Sequence, residues 1–308
     1  MTTAISIGEV MVELKREADG RYVQSFGGDS FNTAVYLARC GIETAYVTAL
    51  GDDKFSDAIV GLAEAEGVQT RTILRAAGRV PGLYLIETDQ RGERTFYYWR
   101  ETSPARELLA LPGAEAAERA IREARLVYLS GITLSLYDEA GLDRLFAALE
   151  AARAGGASIA FDSNYRPRGW RGGRDRAQRV MSRMLDLATM ALPTFDDERA
   201  LWDDDSPDAT LDRLGRHGVA EAVVKLGPAG ARIGVEGRRE TVAPPEPVEP
   251  HDTTAAGDSF NAGYLAARLK GQEPAAAVLA GHRLAAVVIR HPGAITPREA
   301  TAAVVGRS

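Results

Sequence analysis

The sequence predicts an α/β protein in which a mostly parallel sheet carries helices on both faces, with a small second β-sheet attached as a lid. Three observations predict this. Short apolar runs at 4–8, 45–50, 126–130, 157–161 and 222–226 alternate with longer segments of helical period, the order expected of a parallel sheet in a three-layer α/β/α sandwich. The alternation breaks at about 11–26 and about 80–100, where 83–88 and 95–100 read as strands joined by Asp89-Gln90-Arg91-Gly92. Finally, 308 residues at 45% hydrophobic and 26% charged suffice for one large core. A single domain over 1–308 with the two lid segments inserted is expected.

The first runs end in polar residues. Gly8-Glu9, Ser130-Gly131, Asp162-Ser163-Asn164 and Lys225-Leu226-Gly227 all fall at carboxyl ends of predicted strands, the edge where ligands of open α/β sheets collect. The aromatic hairpin at 83–100 cannot be stable alone, so it should cover the site, a second subunit, or both. Segment 242–250, with four prolines, reads as an extended connector.

Composition narrows the partners. The net charge of −6, from 37 basic and 43 acidic residues, includes no long basic block, which argues against nucleic acid. The Arg-rich stretch 166–174 suits an anionic small molecule. The single cysteine, Cys40, allows no internal disulfide and reads as a small buried thiol. The N-terminus has no basic leader, and no apolar run approaches roughly 18 residues, so a cytoplasmic protein without a membrane segment is expected. The four histidines lack metal-ligand spacing and receive no catalytic role.

The strongest chemical signal is the segment from Asp252 to Tyr264, Asp-Thr-Thr-Ala-Ala-Gly-Asp-Ser-Phe-Asn-Ala-Gly-Tyr. A small-residue turn runs straight into an amphipathic helix, whose first free N–H groups and dipole favour an anion. Asp258 stands at the same point. Either it caps the helix, or it is a general base that takes a proton from a hydroxyl attacking phosphorus. A second signal, Phe26-Gly27-Gly28-Asp29-Ser30-Phe31-Asn32-Thr33-Ala34, precedes an apolar helix. Its glycines admit a polyol close to the backbone, and Asp29 and Asn32 can bond hydroxyls. Alone, Gly-Gly-Asp is also an ordinary turn.

Together these segments resemble the two signatures of ribokinase-like, phosphofructokinase-B type carbohydrate kinases, in the family's order. Ala255 replaces the first glycine of the family's usual Asp-Thr-x-Gly-Ala-Gly-Asp. No Gly-Lys-Ser/Thr element exists, so phosphate handling falls to the 255–258 turn. The resemblance implies ATP and Mg²⁺, with a monovalent cation such as K⁺. It implies that Asp258 is the base, with Ala255, Ala256 and Gly257 supplying the anion hole, and that Gly27, Gly28, Asp29 and Asn32 bind sugar. Lys225-Leu226-Gly227-Pro228-Ala229-Gly230 resembles the loop beneath ATP, so Lys225, Gly227 and Gly230, with Asn164, Arg166, Ala255 and Gly257, are nucleotide contacts. The family's Mg²⁺-organising Asn-x-x-Glu segment corresponds to Thr194-Phe195-Asp196-Asp197-Glu198, where the asparagine is absent and Asp197 or Glu198 is the candidate acid. These acids equally suit the first turn of a helix. His282 falls where the family packs adenine, but reads here as a helix-surface residue.

The resemblance covers nearly the whole chain. It tightens toward the branch acting on 2-keto-3-deoxygluconate at Leu83-Tyr84, 92–100, 164–168 and 293–299. A keto acid requires cations for its carboxylate, and Arg100 and Arg166 fit, with Tyr84 and Tyr98 to orient hydroxyl and keto oxygens. Tyr97, Tyr98 and Trp99 also suit a lid-to-lid interface, since alternate strand residues face opposite ways, and a homo-oligomer through the lid is expected. The resemblance implies transfer of the ATP γ-phosphoryl group to the C6 hydroxyl of the keto-deoxy acid. The rivals are a fructokinase or ribokinase acting on a neutral sugar, and a sugar-binding sensor without turnover.

Overall fold

The computed structural model describes residues 3–17, 19–88 and 94–305. The Asp89-Gln90-Arg91-Gly92 connector lies outside the described residues. Along the chain run β1 (Ala4–Ile7), β2 (Met11–Arg16), β3 (Tyr22–Gly27), α1 (Asp29–Arg39), β4 (Thr44–Leu50), α2 (Lys54–Ala65), β5 (Ile73–Arg75), β6 (Leu83–Thr88) and β7 (Arg94–Trp99). There follow α3 (Ala114–Glu123), β8 (Leu126–Ser130), α4 (Gly131–Leu136), α5 (Glu139–Ala154), β9 (Ser158–Asp162), α6 (Gly173–Leu185), β10 (Met190–Ala191), α7 (Phe195–Trp202) and α8 (Pro207–Arg216). The last elements are β11 (Glu221–Lys225), β12 (Ala231–Val235), β13 (Arg238–Val242), α9 (Ala256–Leu269), α10 (Pro274–Val288) and α11 (Arg298–Val305).

The main sheet has the order β13-β12-β11-β10-β9-β8-β1-β4-β5. It is parallel from β5 to β11, and β12 and β13 close one edge antiparallel. Each predicted apolar run became a strand buried from both faces, because the helices supply apolar cover on each side. One core layer packs β1, β4, β8 and β9 against α3, α5 and α6. The opposite layer holds Tyr36, Tyr128, Phe260 and Tyr264 between the sheet, α1, α9 and α10.

The lid is a four-stranded sheet of order β3-β2-β6-β7. Its register places Tyr84 opposite Tyr98 and Ile86 opposite Phe96, so these point inward with Met11 and Glu13. Leu83, Leu85, Tyr97 and Trp99 point outward. Tyr97 and Trp99 are 45% and 60% exposed, so the lid has a bare apolar outer face. Among the described residues no helix is long and apolar enough to cross a membrane. Cys40 is buried at the end of α1, as expected.

One buried arginine fixes how α1 approaches the rest. Arg39 donates twice to Glu66, from Nε and Nη2 at 2.8 Å each, and Nη2 also reaches the Thr296 carbonyl at 2.9 Å. It thereby ties α1 to the end of α2 and to the C-terminal segment. Its side chain is 2% exposed. Arg39→Leu leaves Glu66 without its cation and is expected to lower unfolding free energy by about 3–5 kcal/mol, read by chemical denaturation. A loss below about 1 kcal/mol would show that the pair behaves as a surface pair.

Candidate active site

At the carboxyl edge of the main sheet, α9 begins without a side-chain cap. Ala255 is its N-cap, in left-handed conformation with φ 59° and ψ 17°. Such a backbone costs a Cβ-bearing residue about 1–2 kcal/mol, and a glycine stands there in the signature this turn resembles. The turn is held by Asp252, which accepts from the Thr254 amide at 2.9 Å and the Gly293 amide at 3.1 Å. The amides that open α9 therefore face a cavity.

Asp258 does not cap that helix. Its Oδ2 accepts from Asn32 Nδ2 at 2.8 Å, joining the first turns of α1 and α9. Burial, the neighbouring Asp29 and the more distant Asp162 raise its carboxyl pKa to about 7, against the lowering effects of Asn32 and Lys225. A carboxyl so poised is suited to accept a proton near neutral pH. Asp29 in turn accepts from Asn164 Nδ2 at 2.7 Å.

Behind this pair lies a network that the sequence reading named only in part. Lys225 Nζ donates to Asp162 at 2.7 Å and to Asn261 Oδ1 at 3.0 Å. Asn261 Nδ2 donates to Asp162 at 2.7 Å and to the Tyr128 hydroxyl at 3.1 Å. Asp162 and Asn261 were not among the expected site residues. Both belonged to quoted segments, but only the fold shows that β9, β11 and α9 converge there.

Two cavities meet at the α9 turn. One, of about 370 Å³, is polar and lined by Asp29, Asp162, Asn164, Arg166, Lys225 and Asp258. The other, of about 320 Å³, is largely apolar and lined by Pro228, Val248, Pro250, Phe260, His282 and Ile289. Both share Lys225, Ala256 and Gly257. Gly227 and Gly230 have φ of 57° and 103°, and a Cβ on Gly230 would lie 2.3 Å from the Val242 carbonyl, so this loop requires glycine.

The glycines at the head of α1 serve packing as well as access. A Cβ on Gly28 would sit 2.1 Å from the Glu9 carbonyl oxygen, and one on Gly27 would sit 2.8 Å from the Tyr84 hydroxyl. Tyr84 donates to Glu13, whose other oxygen accepts from Ser25 Oγ at 2.7 Å. The Tyr84 and Tyr98 rings are 5.9 Å apart, and the Arg100 guanidinium lies 5.9 Å from the Tyr98 ring. Sequence thus brings Tyr84, Tyr98 and Arg100 onto one wall. Arg100, expected to bind a carboxylate, is paired with the buried Glu9.

Two further expectations change. Of the two acids in α7, Glu198 is buried and bound by Arg213, which also holds Asp204 at 2.7 Å, so Glu198 faces the interior. Asp197 faces Arg166 at 2.9 Å, and burial raises its pKa while Arg166 opposes the rise. His282 is not on the helix surface. It is 8% exposed, lies edge-on to Phe260 with centroids 5.1 Å apart, and burial lowers its pKa, because the connector at 243–250 folds over α10.

The chain is similar to known proteins over nearly its whole length. The 2-dehydro-3-deoxygluconokinase of Dickeya dadantii is 42% identical over 301 residues, covering 96% of each chain. The enzyme of the same name from Escherichia coli K12 is also 42% identical, over 96% of this chain and 97% of that one. The crystal structure of 2-dehydro-3-deoxygluconokinase from Thermotoga maritima superposes with a TM-score of 0.86 at 21% identity, covering 99% of this chain and all of that one. The pattern of the pfkB family carbohydrate kinases matches residues 1–301, and the chain belongs to that family.

Proposed function

We propose that the chain transfers the γ-phosphoryl group of ATP to the C6 hydroxyl of 2-keto-3-deoxygluconate (2-dehydro-3-deoxygluconate), releasing ADP. The observation that carries this reading is Asp258, a proton acceptor placed beside an uncapped helix start where a polar and an apolar cavity meet. The polar cavity takes sugar and phosphates, and the apolar one takes adenine between the 243–250 connector and α10. In the reaction Asp258 removes the C6 hydroxyl proton, the oxygen bonds the γ-phosphorus, and the bond to the ADP oxygen breaks. The amides of Ala255, Ala256 and Gly257 hold the charge spread over the transferred group. Lys225 adds a positive charge fixed by Asp162 and Asn261.

Gly27, Gly28, Asp29 and Asn32 form the sugar floor; Tyr84, Tyr98 and Arg100 form its lid wall. Arg166 and Asn164 stand toward the phosphates, and Gly227 and Gly230 give the nucleotide its close approach. Mg²⁺ bound with the nucleotide supplies further neutralisation. Asp197, half-buried and facing the cavity side through Arg166, fits the acid that orients its waters, whereas Glu198 is consumed by Arg213. A monovalent cation such as K⁺ belongs to the same reading.

The lid's bare outer face supports a homodimer in which Leu83, Leu85, Tyr97 and Trp99 meet a second copy. Trp99→Glu is expected to convert a dimer to monomers on gel filtration with light scattering. A chain that is monomeric before substitution, or dimeric after it, contradicts the lid interface.

Asp258→Asn should lower turnover by roughly 10²–10⁴ while sugar and ATP still bind, because an amide keeps the shape but cannot take a proton. Near-normal turnover would remove Asp258 from the chemistry. The same substitution reports on stability. The folded-state pKa lies above that of an unfolded aspartate, so the cost of ionising Asp258 grows as pH rises toward 7 and is fully present at pH 8. Asp258→Asn should therefore melt no lower than the parent at pH 8, and lose that advantage near pH 4.

The pH profile follows from the same group. The parent's kcat/KM should fall about tenfold per pH unit below an apparent pKa near 7. A profile flat down to pH 5 would contradict an essential base with this environment.

A further inference from the structure

Where β1 ends and β7 returns into the body, four polar side chains meet without satisfying one another. Arg100 donates to Glu9, yet Glu9 Oε1 and Arg100 Nε are buried without a hydrogen-bond partner, and so is the Tyr137 hydroxyl. The carboxylate of Glu9 acts on Tyr137 strongly enough to add to the burial that raises its pKa. Arg106 completes the group. It lies half-buried, burial lowers its pKa, Glu9 opposes that and Arg100 and Arg176 reinforce it. Among the described residues its guanidinium has no hydrogen bond or ion pair, whereas Arg176 is engaged by Glu139 and the Tyr137 carbonyl.

Buried polar atoms without partners are uncommon in folded proteins, and each calls for an explanation. Three in one place, with a desolvated arginine beside them, point to a site that takes a polar ligand. The groups fix what that occupant is. Glu9 cancels one arginine, so one positive charge remains. The available partners are mainly donors: Arg100 Nε–H, the Tyr137 O–H and the fork of Arg106. One negative charge and several acceptor lone pairs are needed, which a carboxylate supplies and a water does not. The Gly82 backbone packs directly against the pair, where a Cβ would lie 2.9 Å from Glu9 Oε1 and 3.1 Å from Arg100 Cβ, so a side chain at that position would disturb both groups. The position also suits the purpose, since Arg100, Tyr98 and Tyr84 form a continuous row leading toward Gly27 at the head of α1.

We infer that Arg106 and Tyr137, with the Glu9–Arg100 pair, hold the carboxylate of the substrate at the end of the sugar site remote from Asp258. This rests on the keto-deoxy acid reading above. Arg106 is then the cation whose charge the substrate neutralises, and Glu9 is a positioning residue that aims Arg100 and keeps the empty pocket from accumulating charge.

The test follows ADP release by the full chain on 2-keto-3-deoxygluconate and on 3-deoxyfructose, its neutral counterpart with a hydroxymethyl group in place of the carboxylate. Arg106→Met is expected to raise KM for the acid by about 10-fold or more, with KM for ATP and the efficiency on the neutral sugar changed far less. Arg106→Lys should recover much of the loss. Tyr137→Phe, which deletes one oxygen, should raise KM for the acid by about 3-fold to 10-fold with the same selectivity, and serves if Arg106→Met does not fold. Equal effects on acid and neutral sugar, or no effect on either, overturn the pocket while leaving the keto-deoxy acid reading in place. An unaltered chain that shows no preference for the acid overturns that reading and the pocket with it.

Discussion

Three carboxylates, Asp29, Asp162 and Asp258, are gathered at one sheet edge with one buried cation, Lys225, among them. Lys225 is held against Asp162 and offsets only part of the burden on Asp258, which has burial, like-charged neighbours and one side-chain amide donor around it. The elevated proton affinity of Asp258 follows from this imbalance. The fold makes the cluster possible by bringing the ends of β9 and β11 and the starts of α1 and α9 to one place, and by tying them with Asn261, Asn32 and Asn164. Each of these side-chain amides donates to one of the three carboxylates without adding charge. They hold the site's geometry and leave its electrostatics unbalanced until substrates arrive.

The lid solves a different problem. A keto acid is hydrophilic at both ends, so a site that grips it must close polar groups away from water without stranding them. The inner lid face does so with paired groups: Tyr84 with Glu13, Glu13 with Ser25, Arg100 with Glu9. Where pairing is incomplete, at Arg100 Nε, Glu9 Oε1, Tyr137 and Arg106, the account places the carboxylate. The outer lid face has the opposite character, apolar and bare. One thin sheet thus carries paired polar groups on one side and a bare apolar surface on the other, as its alternating residues allow.

Much of this was legible in the sequence because it is local. Apolar runs marked the central strands, the 252–264 segment marked the helix start and the carboxylate beside it, and alternation in the strand expected at 95–100 allowed Tyr98 to face away from Tyr97 and Trp99. What was not legible depends on partners distant in the chain. The two-residue β10 and the antiparallel edge β12–β13 carry too short or too polar a pattern to stand out. His282 looked like a surface residue because nothing near it in sequence shows that the 243–250 connector folds over it. Glu198 and Asp197 are neighbours with one helical phase between them, and only Arg213, arriving from α8, shows which of them points inward. The pairing of Arg100 with Glu9 was not legible because Glu9 lies 91 residues earlier. Gly28 read as room for a sugar, whereas its lack of a side chain is demanded first by the Glu9 carbonyl.

In the proposed reaction an acidic sugar lies with its carboxylate at one end of the site and its reacting hydroxyl at the other, beside Asp258. The most direct measurement compares kcat/KM of the unaltered chain for 2-keto-3-deoxygluconate, fructose and ribose with ATP and Mg²⁺, and locates the new phosphate ester by NMR. Preference for the keto-deoxy acid by at least about 10²-fold is expected, in line with a site built around buried polar and charged groups, together with an ester at C6. Comparable or faster turnover of fructose or ribose, or an ester at another carbon, would contradict the proposed reaction.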